Sequence, residues 1–291
     1  MKKFVLLLVC TFSLIGCSHS PYYNPKSGGE MSLAQHDYDS FFLLSDSGNQ
    51  LHSVLISSQN LTSKGLVVHF HGNSGNISET IEKYLWVTEQ SYDLLLFDYS
   101  GYGNSTGSPN FDNLYADAQT IFRFVDQQFS GLKDYQLISV GTSLGGAVML
   151  DGLVDSDQKE MFDLVVVDSS FHSFSEVAQH VVNKSRFGFL GAWLIPLVID
   201  KSHDPLPRLP QFDDTQLLFV HCQSDALIPW QFSEKMYQMS DVDKSFELLQ
   251  GCEHARTFTP ESTANRPLLL GYFNQLSAQS SQLEALSYID N

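Results

Sequence analysis

The chain has 291 residues and a formal net charge of −17, and 43% of its residues are hydrophobic. So acidic a surface repels nucleic-acid phosphates and anionic lipid headgroups, which disfavours a nucleic-acid-binding protein. The length suits one large hydrophobic core, and no internal repeat or low-complexity tract interrupts it.

Residues 1–16 are predicted to be a signal peptide. Two lysines precede the apolar run Phe4–Ile15, which is too short to cross a bilayer as a permanent helix. The run leads into LIGC, residues 14–17, which resembles the bacterial lipoprotein box, so Cys17 is predicted to be lipidated. Ser18 replaces the aspartate that favours inner-membrane retention in proteobacteria, which favours the outer membrane. The alternative is an ordinary signal peptide in which Cys17 is incidental.

Residues 17–38 are predicted to be a lipidated tether. Ser18–Tyr38 is poor in aliphatic residues and contains two prolines and two adjacent glycines, a composition typical of linkers. Because the protein is so acidic, attachment to a membrane would depend on the lipid itself. Residues 39–291 are assigned to one folded domain.

Beyond the tether, short apolar runs alternate with helical patterns. The first two runs, Ser40–Leu44 and Gln50–Ser57, flank the turn sequence DSGN and predict a hairpin. The later runs are nearly continuous in Val, Leu, Ile and Phe, as strands buried on both faces are. They are Gly65–Phe70, Asp93–Asp98, Tyr135–Gly141, Phe162–Asp168, Gln216–Cys222 and Ser245–Gln250. Helices are predicted between them at Ile77–Gln90, Asn113–Phe129, Leu144–Leu153, Pro229–Met239 and Pro267–Ala278. This alternation predicts an α/β fold with a mostly parallel, doubly wound sheet and an antiparallel entry hairpin.

One connection is much longer than the others. More than forty residues separate Ser169 from Thr215, so residues 171–214 are predicted to form a small helical cap. The apolar centre of the cap, Phe187–Ile199, either packs on the core or lines a pocket for an acyl or aryl group.

A serine between two glycines occurs twice. In GTSLG, residues 141–145, Ser143 follows a predicted strand and precedes a predicted helix, which is the context of a nucleophilic serine. In GNSTG, residues 103–107, Ser105 is followed by glycine, serine and proline, which indicate a loop. The pattern alone is weak, so the context selects Ser143 as the nucleophile.

A serine nucleophile needs a histidine base, and the histidine needs a carboxylate that orients it. His254 follows the last predicted strand and is the only histidine after residue 221. Open α/β sheets bind ligands at the carboxyl edge of their strands, where the loop leaving Gln216–Cys222 places Asp225. Asp225 is therefore the preferred acid, and Asp168, which also ends a strand, is the alternative.

Acyl transfer also needs two backbone N–H donors for the oxyanion. Leu144, directly after the serine, is predicted to supply one, and Asn73, in the loop HGNSGN, is predicted to supply the other, with Ser74 as an alternative. His69 and His71 form an H-x-H pair, but no third ligand accompanies them at metal spacing. Neither a metal nor an organic cofactor is predicted.

Together these residues resemble the α/β-hydrolase superfamily from about Ser40 to about Ala278. The sequences HGNSGN, residues 71–76, and FDYSGYGNS, residues 97–105, are similar to the subgroup that contains bud-emergence-type hydrolases and protein depalmitoylases. Members of that subgroup are serine esterases or thioesterases.

The resemblance implies a catalytic triad of Ser143, Asp225 and His254, which agrees with the order of these residues along the chain. It also implies that Ser105 belongs to a structural glycine-rich loop, and that Asp98 bonds the backbone of that loop.

Cys222 departs from the subgroup, which commonly has glycine at this position. Cys222 ends one predicted strand, and Cys252 follows the next. If these strands are parallel neighbours, the two Cα atoms lie near the disulfide window of about 4.4–6.8 Å. The compartment outside the cytoplasm is oxidising. A disulfide between the Asp225 loop and the His254 loop is therefore a hypothesis, and two free buried cysteines are its alternative.

The sequence thus predicts a membrane-anchored lipoprotein on the periplasmic or cell-surface side. It would hydrolyse small-molecule carboxylic esters or thioesters through an acyl-enzyme. A serine peptidase or amidase of the same fold and a catalytically silent binding lipoprotein are the alternatives. The acyl chain, the leaving group and the oligomeric state are not indicated.

Overall fold

The computed structural model describes residues 23–29, 31, 33–184, 193, 195–212 and 215–287. The predicted signal peptide with Cys17 lies outside the described residues, as does most of the apolar stretch Phe187–Ile199. Among the described residues, no helix combines the length and the apolar character needed to cross a membrane.

An eight-stranded sheet forms the centre of the domain. In chain order its strands are β1 Tyr38–Leu44, β2 Gln50–Ile56, β3 Gly65–Phe70, β4 Tyr92–Phe97, β5 Gln136–Thr142, β6 Leu164–Asp168, β7 Leu217–Cys222 and β8 Lys244–Leu249. Across the sheet they lie in the order β8-β7-β6-β5-β3-β4-β2-β1. β2 pairs antiparallel with β1 and β4, and all the other neighbours are parallel. The mostly parallel sheet and its antiparallel entry hairpin are confirmed.

Helices cover both faces of the sheet. The α-helices are α1 Ile77–Thr80, α2 Phe111–Phe129, α3 Leu144–Val154, α4 Phe174–Asn183, α5 Ile195–Val198, α6 Gln231–Met239 and α7 Arg266–Ser287. Short 3-10 helices occupy Ile81–Lys83, Leu85–Gln90, Lys159–Met161, Leu206–Gln211 and Pro260–Asn265. Side chains alternate along β3, so Leu66 packs into the core beneath α2 and α3, whereas Val67 packs into the core beneath α7.

The helix predicted over Ile77–Gln90 is broken into α1 and two 3-10 turns. Tyr84, with φ of −125° and ψ of −2°, separates the two turns. Its side chain is buried, and its ring lies 4.5 Å from that of His69. The packing of this aromatic residue against the sheet overrides the regular helix that the sequence pattern predicts.

The N-terminal segment differs from the tether predicted for residues 17–38. Tyr23 and Leu33 are buried, and Asn24–Pro25 pairs in parallel with Ser74–Gly75. The partners of this segment are mostly backbone groups of distant loops, which no composition rule detects. The packed part of the chain therefore begins before residue 39.

The described part of the predicted cap, residues 171–214, contains α4, α5 and the 3-10 helix Leu206–Gln211. Lys184, directly after α4, donates to the carbonyl of Ala226, and Arg208 pairs with Asp151 at 3.1 Å. These contacts tie the end of α4 to the loop after β7, and the 3-10 helix Leu206–Gln211 to α3.

Cys222 and Cys252 form a disulfide, with their Cα atoms 5.5 Å apart. Cys222 ends β7 and is paired in register with Leu249, the last residue of β8. The bridge therefore joins the loops that leave two neighbouring parallel strands.

Reduction of this disulfide should lower the free energy of unfolding. The bond closes a sequence separation of 30 residues, for which the loop-entropy relation gives a loss of about 3–4 kcal/mol. Urea unfolding curves with and without a phosphine reductant measure it. The variant Cys222→Ala/Cys252→Ala is the control, because the reductant should not shift its curve. Superimposable wild-type curves would contradict the prediction.

Candidate active site

Ser143 stands at a sharp turn between β5 and α3. Its φ of 55° and ψ of −119° are strained for a residue with a side chain. The Ser143 N–H donates to the carbonyl of Asp168 at 2.8 Å, and its own carbonyl accepts from the Gly146 N–H at 3.1 Å. A Cβ atom on Gly145 would lie 2.0 Å from the carbonyl oxygen of Phe70, so only glycine lets α3 approach β3 this closely.

His254 connects Ser143 with Asp225. The His254 Nε2 atom lies 3.1 Å from Ser143 Oγ, and its Nδ1 atom lies 2.6 Å from Asp225 Oδ2. The Asp225 side chain is fully buried, whereas that of His254 is 19% exposed. In this arrangement the imidazole can take the serine proton while the carboxylate orients the ring. The three predicted residues come from the carboxyl ends of β5, β7 and β8.

Asp225 is held from several sides. Its Oδ1 atom accepts the N–H groups of Leu227 and Ile228, both at 2.8 Å, and its Oδ2 atom also lies 3.1 Å from His221 Nε2. Burial raises the pKa of Asp225, but hydrogen bonds with His221 and His254 and the charge of His254 outweigh burial and lower the pKa well below its usual value. The carboxylate is therefore ionised and fixed in orientation.

His221 is a residue of the site that the sequence reasoning missed. It is fully buried near the end of β7, and its Nε2 atom faces two acceptors, Asp225 Oδ2 and the Ile228 carbonyl at 3.0 Å. Because both neighbours accept, this nitrogen carries the hydrogen. Its Nδ1 atom lies 2.7 Å from Ser233 Oγ. The one signal in the sequence is a histidine four residues before the acid.

Asp168, the alternative acid, has other partners. Its carboxylate accepts the hydroxyl groups of Thr257, Ser169 and Tyr84. Its main-chain carbonyl holds the N–H of Ser143. Asp168 therefore holds the turn at Ser143 through its main-chain carbonyl. The carboxylate that binds His254 is that of Asp225.

The loop His71–Asn76, which we call the oxyanion loop because it contains the predicted donor Asn73, lies against Ser143. A Cβ atom on Gly72 would be 3.6 Å from Ser143 Cβ. Asn73 directly follows Gly72, and Leu144 carries the first N–H of α3, which has no acceptor within its own helix. The two predicted oxyanion donors are therefore the chain neighbours of Gly72 and Ser143.

Ser105, in the second glycine-flanked motif, is bound into its loop. Its hydroxyl donates to the Asp98 carbonyl at 2.6 Å and accepts the His52 N–H at 2.8 Å. The Asp98 carboxylate accepts the Ile77 N–H at 2.8 Å. A Cβ atom on Gly103 would lie 1.9 Å from the same carboxylate. Ser105 and Asp98 therefore hold backbone groups of neighbouring segments in place, which is a structural role.

The two histidines of the H-x-H pair bind protein neighbours. His69 Nε2 lies 3.1 Å from Thr142 Oγ1, and His71 Nδ1 donates to the Gly72 carbonyl at 2.7 Å. In the part of the chain that the structure describes, no group of three or more His, Cys, Asp or Glu side chains could hold a metal ion.

Two cavities are lined by residues of the loops and of the predicted cap. One of about 300 Å³ is lined by His254 and by Ser74 of the loop His71–Asn76. A larger one of about 590 Å³ is formed mainly by residues of the predicted cap, including α4, together with Phe232 of α6. The smaller cavity thus borders the histidine of the candidate triad.

The chain is similar to several known proteins. A family model described as serine aminopeptidase, S33, matches residues 62–205. The protein YfhR of Escherichia coli K12 is 31% identical over 193 residues, which is 66% of this chain and 64% of YfhR. The chain thus spans less than two thirds of that relative. The lysophosphatidylserine lipase ABHD12 of Danio rerio is 27% identical over 235 residues, 76% of this chain and 56% of the lipase.

Solved structures show the same architecture. The esterase Pf2001 of Pyrococcus furiosus has a TM-score of 0.69 at 16% identity, covering 87% of this chain and 99% of the esterase. The esterase domain of a Rhodothermus marinus protein has a TM-score of 0.58 at 17% identity, covering 80% of this chain and 96% of that domain. Together with the observed strand order, these likenesses show that the chain has the α/β-hydrolase fold, which both esterases share.

Proposed function

We propose that this protein is a membrane-anchored serine hydrolase that cleaves carboxylic esters or thioesters. One observation carries the proposal: His254 lies 3.1 Å from Ser143 Oγ and 2.6 Å from a buried, ionised Asp225. A serine hydroxyl is a poor nucleophile by itself, and this geometry activates it.

The reaction follows from the positions of these groups. Ser143 Oγ attacks the carbonyl carbon while His254 Nε2 takes the hydroxyl proton. The N–H groups of Asn73 and Leu144 stabilise the oxyanion of the tetrahedral intermediate. His254 then protonates the departing alcohol or thiol, which leaves an acyl-enzyme. Water, deprotonated by His254, attacks that ester and releases the acid and free Ser143.

Similarity supports an ester or thioester substrate. The similar proteins described above include a lipase and two esterases. The motifs HGNSGN and FDYSGYGNS also resemble the bud-emergence-type and depalmitoylase subgroup of serine esterases and thioesterases.

The predicted lipid on Cys17 supports substrates at a membrane surface. Tyr23, six residues after Cys17, is buried in the domain and leads into the segment that lies on the oxyanion loop. Six residues of chain span about 20 Å at most. An anchored protein would therefore hold its active site within reach of esters in the same membrane.

Labelling of the nucleophile tests the proposed activity. A fluorophosphonate should form an adduct on Ser143 of the wild type. Ser143→Ala should form no adduct, and its ester turnover should be about 10⁴-fold lower. Ser105→Ala is the matched control, because it changes the other glycine-flanked serine and should keep both. Labelling at Ser105, or full activity of Ser143→Ala, would overturn the proposal. Absence of any adduct on the folded wild type would favour a silent binding lipoprotein.

Metabolic labelling tests the anchor. Wild-type protein should incorporate an alkynyl fatty acid, and Cys17→Ala should incorporate none, because Cys17 is the proposed site of lipidation. Cys10→Ala, within the predicted signal peptide, is the control and should be labelled like the wild type. Equal labelling of Cys17→Ala would rule out the lipoprotein assignment.

A serine peptidase is the second candidate, because the matching family model is described as serine aminopeptidase. Matched p-nitrophenyl esters, acyl-thioesters and aminoacyl p-nitroanilides separate the two. We expect kcat/KM for the best ester or thioester to exceed that for the best anilide by at least about 100-fold. The reason is that an amine has to be protonated by the general acid before it can leave. A higher kcat/KM for the anilide would favour the peptidase.

A further inference from the structure

The N-terminal segment Tyr23–Gly29 lies against the loop that carries an oxyanion donor. Asn24–Pro25 forms a two-residue parallel ladder with Ser74–Gly75. Just before the ladder, Tyr23 is only 5% exposed, and its ring lies 5.8 Å from that of Phe111 in an edge-on arrangement. The segment is thus anchored in the core where it meets the loop.

The segment binds one backbone carbonyl in particular. The Asn73 carbonyl accepts the Asn24 N–H at 3.0 Å and the Tyr102 hydroxyl at 3.1 Å. Because a trans peptide is planar, this carbonyl and the Ser74 N–H point in opposite directions. Holding the carbonyl therefore fixes the Ser74 N–H and the ψ angle of Asn73.

The preceding peptide is held in the same way. The Gly72 carbonyl accepts the Nδ1 hydrogen of His71 at 2.7 Å, so the Asn73 N–H points away from the histidine. Burial lowers the pKa of His71, which keeps the ring neutral with its single hydrogen on Nδ1. Both peptides that could supply the oxyanion donor are thus oriented through their carbonyl oxygens.

The other end of the segment is locked between two loops. The Lys26 carbonyl accepts the Gly103 N–H at 2.9 Å and the Asn76 side-chain amide at 3.2 Å, and the Gly28 N–H donates to the Gly103 carbonyl at 3.0 Å. The exposed Lys26 ammonium adds an ion pair with Glu79 at 2.8 Å. These bonds keep the Asn24 N–H at its place although most of the segment is exposed.

We propose that Tyr23–Gly29 is a positioning segment of the oxyanion hole, in which the Asn24 backbone N–H prevents the Asn73 carbonyl from turning toward the reacting oxygen. A carbonyl dipole turned that way would repel the charge that develops in the tetrahedral intermediate. The inference rests on the proposed serine hydrolase activity. The segment that begins six residues after Cys17 would then contact the catalytic site directly.

Substitution of Asn24 in the full chain tests the inference at a single atom. Asn24→Pro removes the N–H, and Asn24, which already precedes Pro25, lies in the extended conformation that proline tolerates. We expect kcat to fall about tenfold or more while KM stays within about twofold. Binding of a boronic acid transition-state analogue should weaken in the same proportion as kcat/KM.

Two further variants separate positioning from general destabilisation. Asn24→Ala keeps the backbone N–H and loses only the side-chain amide, which donates to Ser74 Oγ at 3.4 Å, so its kcat should fall much less than that of Asn24→Pro. Tyr102→Phe removes the second donor. The double variant Asn24→Pro/Tyr102→Phe should lose more than the product of the single losses, because one donor still holds the carbonyl in each single variant.

Hydrogen exchange decides the matter independently of turnover. Amides of residues 73–75 should exchange faster in Asn24→Pro than in Asn24→Ala. Equal exchange rates and equal kcat in these two variants would overturn the inference. It would also be overturned if Asn24→Pro lowered kcat and the melting temperature and raised KM together, because that pattern indicates general destabilisation. A wild type that neither labels nor turns over esters counts against the proposed function alone, because the exchange measurement still tests the bracing.

Discussion

The site depends on a close approach of backbone to backbone around Ser143. A Cβ atom on Gly141 would lie 2.5 Å from the Gly146 Cα atom, and one on Gly145 would lie 2.0 Å from the Phe70 carbonyl oxygen. The end of β3, the end of β5 and the start of α3 therefore meet with no side chain between them. This contact places Ser143 at the carboxyl edge of the sheet, where the loops after β3, β7 and β8 converge.

Around that turn, Asp225 and His254 are held more firmly than the loop His71–Asn76. Asp225 is buried and bonded to His221, His254 and two backbone N–H groups, and the Cys222–Cys252 disulfide joins the loops that carry Asp225 and His254. The oxyanion loop exposes Asn73 and Ser74, and it is held by individual hydrogen bonds. In a loop held by so few bonds, one additional hydrogen bond strongly restricts the backbone, and the Asn24 N–H supplies such a bond to the Asn73 carbonyl.

The same segment links the chemistry with the proposed location of the protein. A flexible tether would let the domain tumble freely above the membrane. Here Tyr23, six residues after Cys17, is already buried, and the neighbouring Asn24 bonds the loop of the candidate oxyanion donor. In the proposed lipid-anchored hydrolase, this short spacing would keep the candidate site close to the bilayer, whereas the acidic surface supplies no attraction to anionic headgroups.

The sequence by itself determined the fold and the candidate triad. Strands buried on both faces appear as continuous apolar runs, and the glycines beside Ser143 mark a turn that tolerates no side chains. The order of serine, acid and histidine along the chain, together with the positions of Asp225 and His254 in loops directly after strand ends, then selected these two residues among many candidates. Apart from that order, each of these signals is local, because it depends on neighbouring residues or on the end of one strand.

Only the tertiary structure decided the features whose partners are distant in the chain. A histidine in a strand gives no sign that it will bind the acid, yet His221 contacts Asp225 because the loop after β7 folds back over it. The helix predicted at Ile77–Gln90 is broken because Tyr84 packs on His69. Tyr23–Gly29 has the composition of a linker, but backbone groups of the loops at Asn73 and Gly103 bind it in place. Backbone hydrogen bonds of this kind leave no mark on amino-acid composition, because every residue except proline offers the same donor and acceptor.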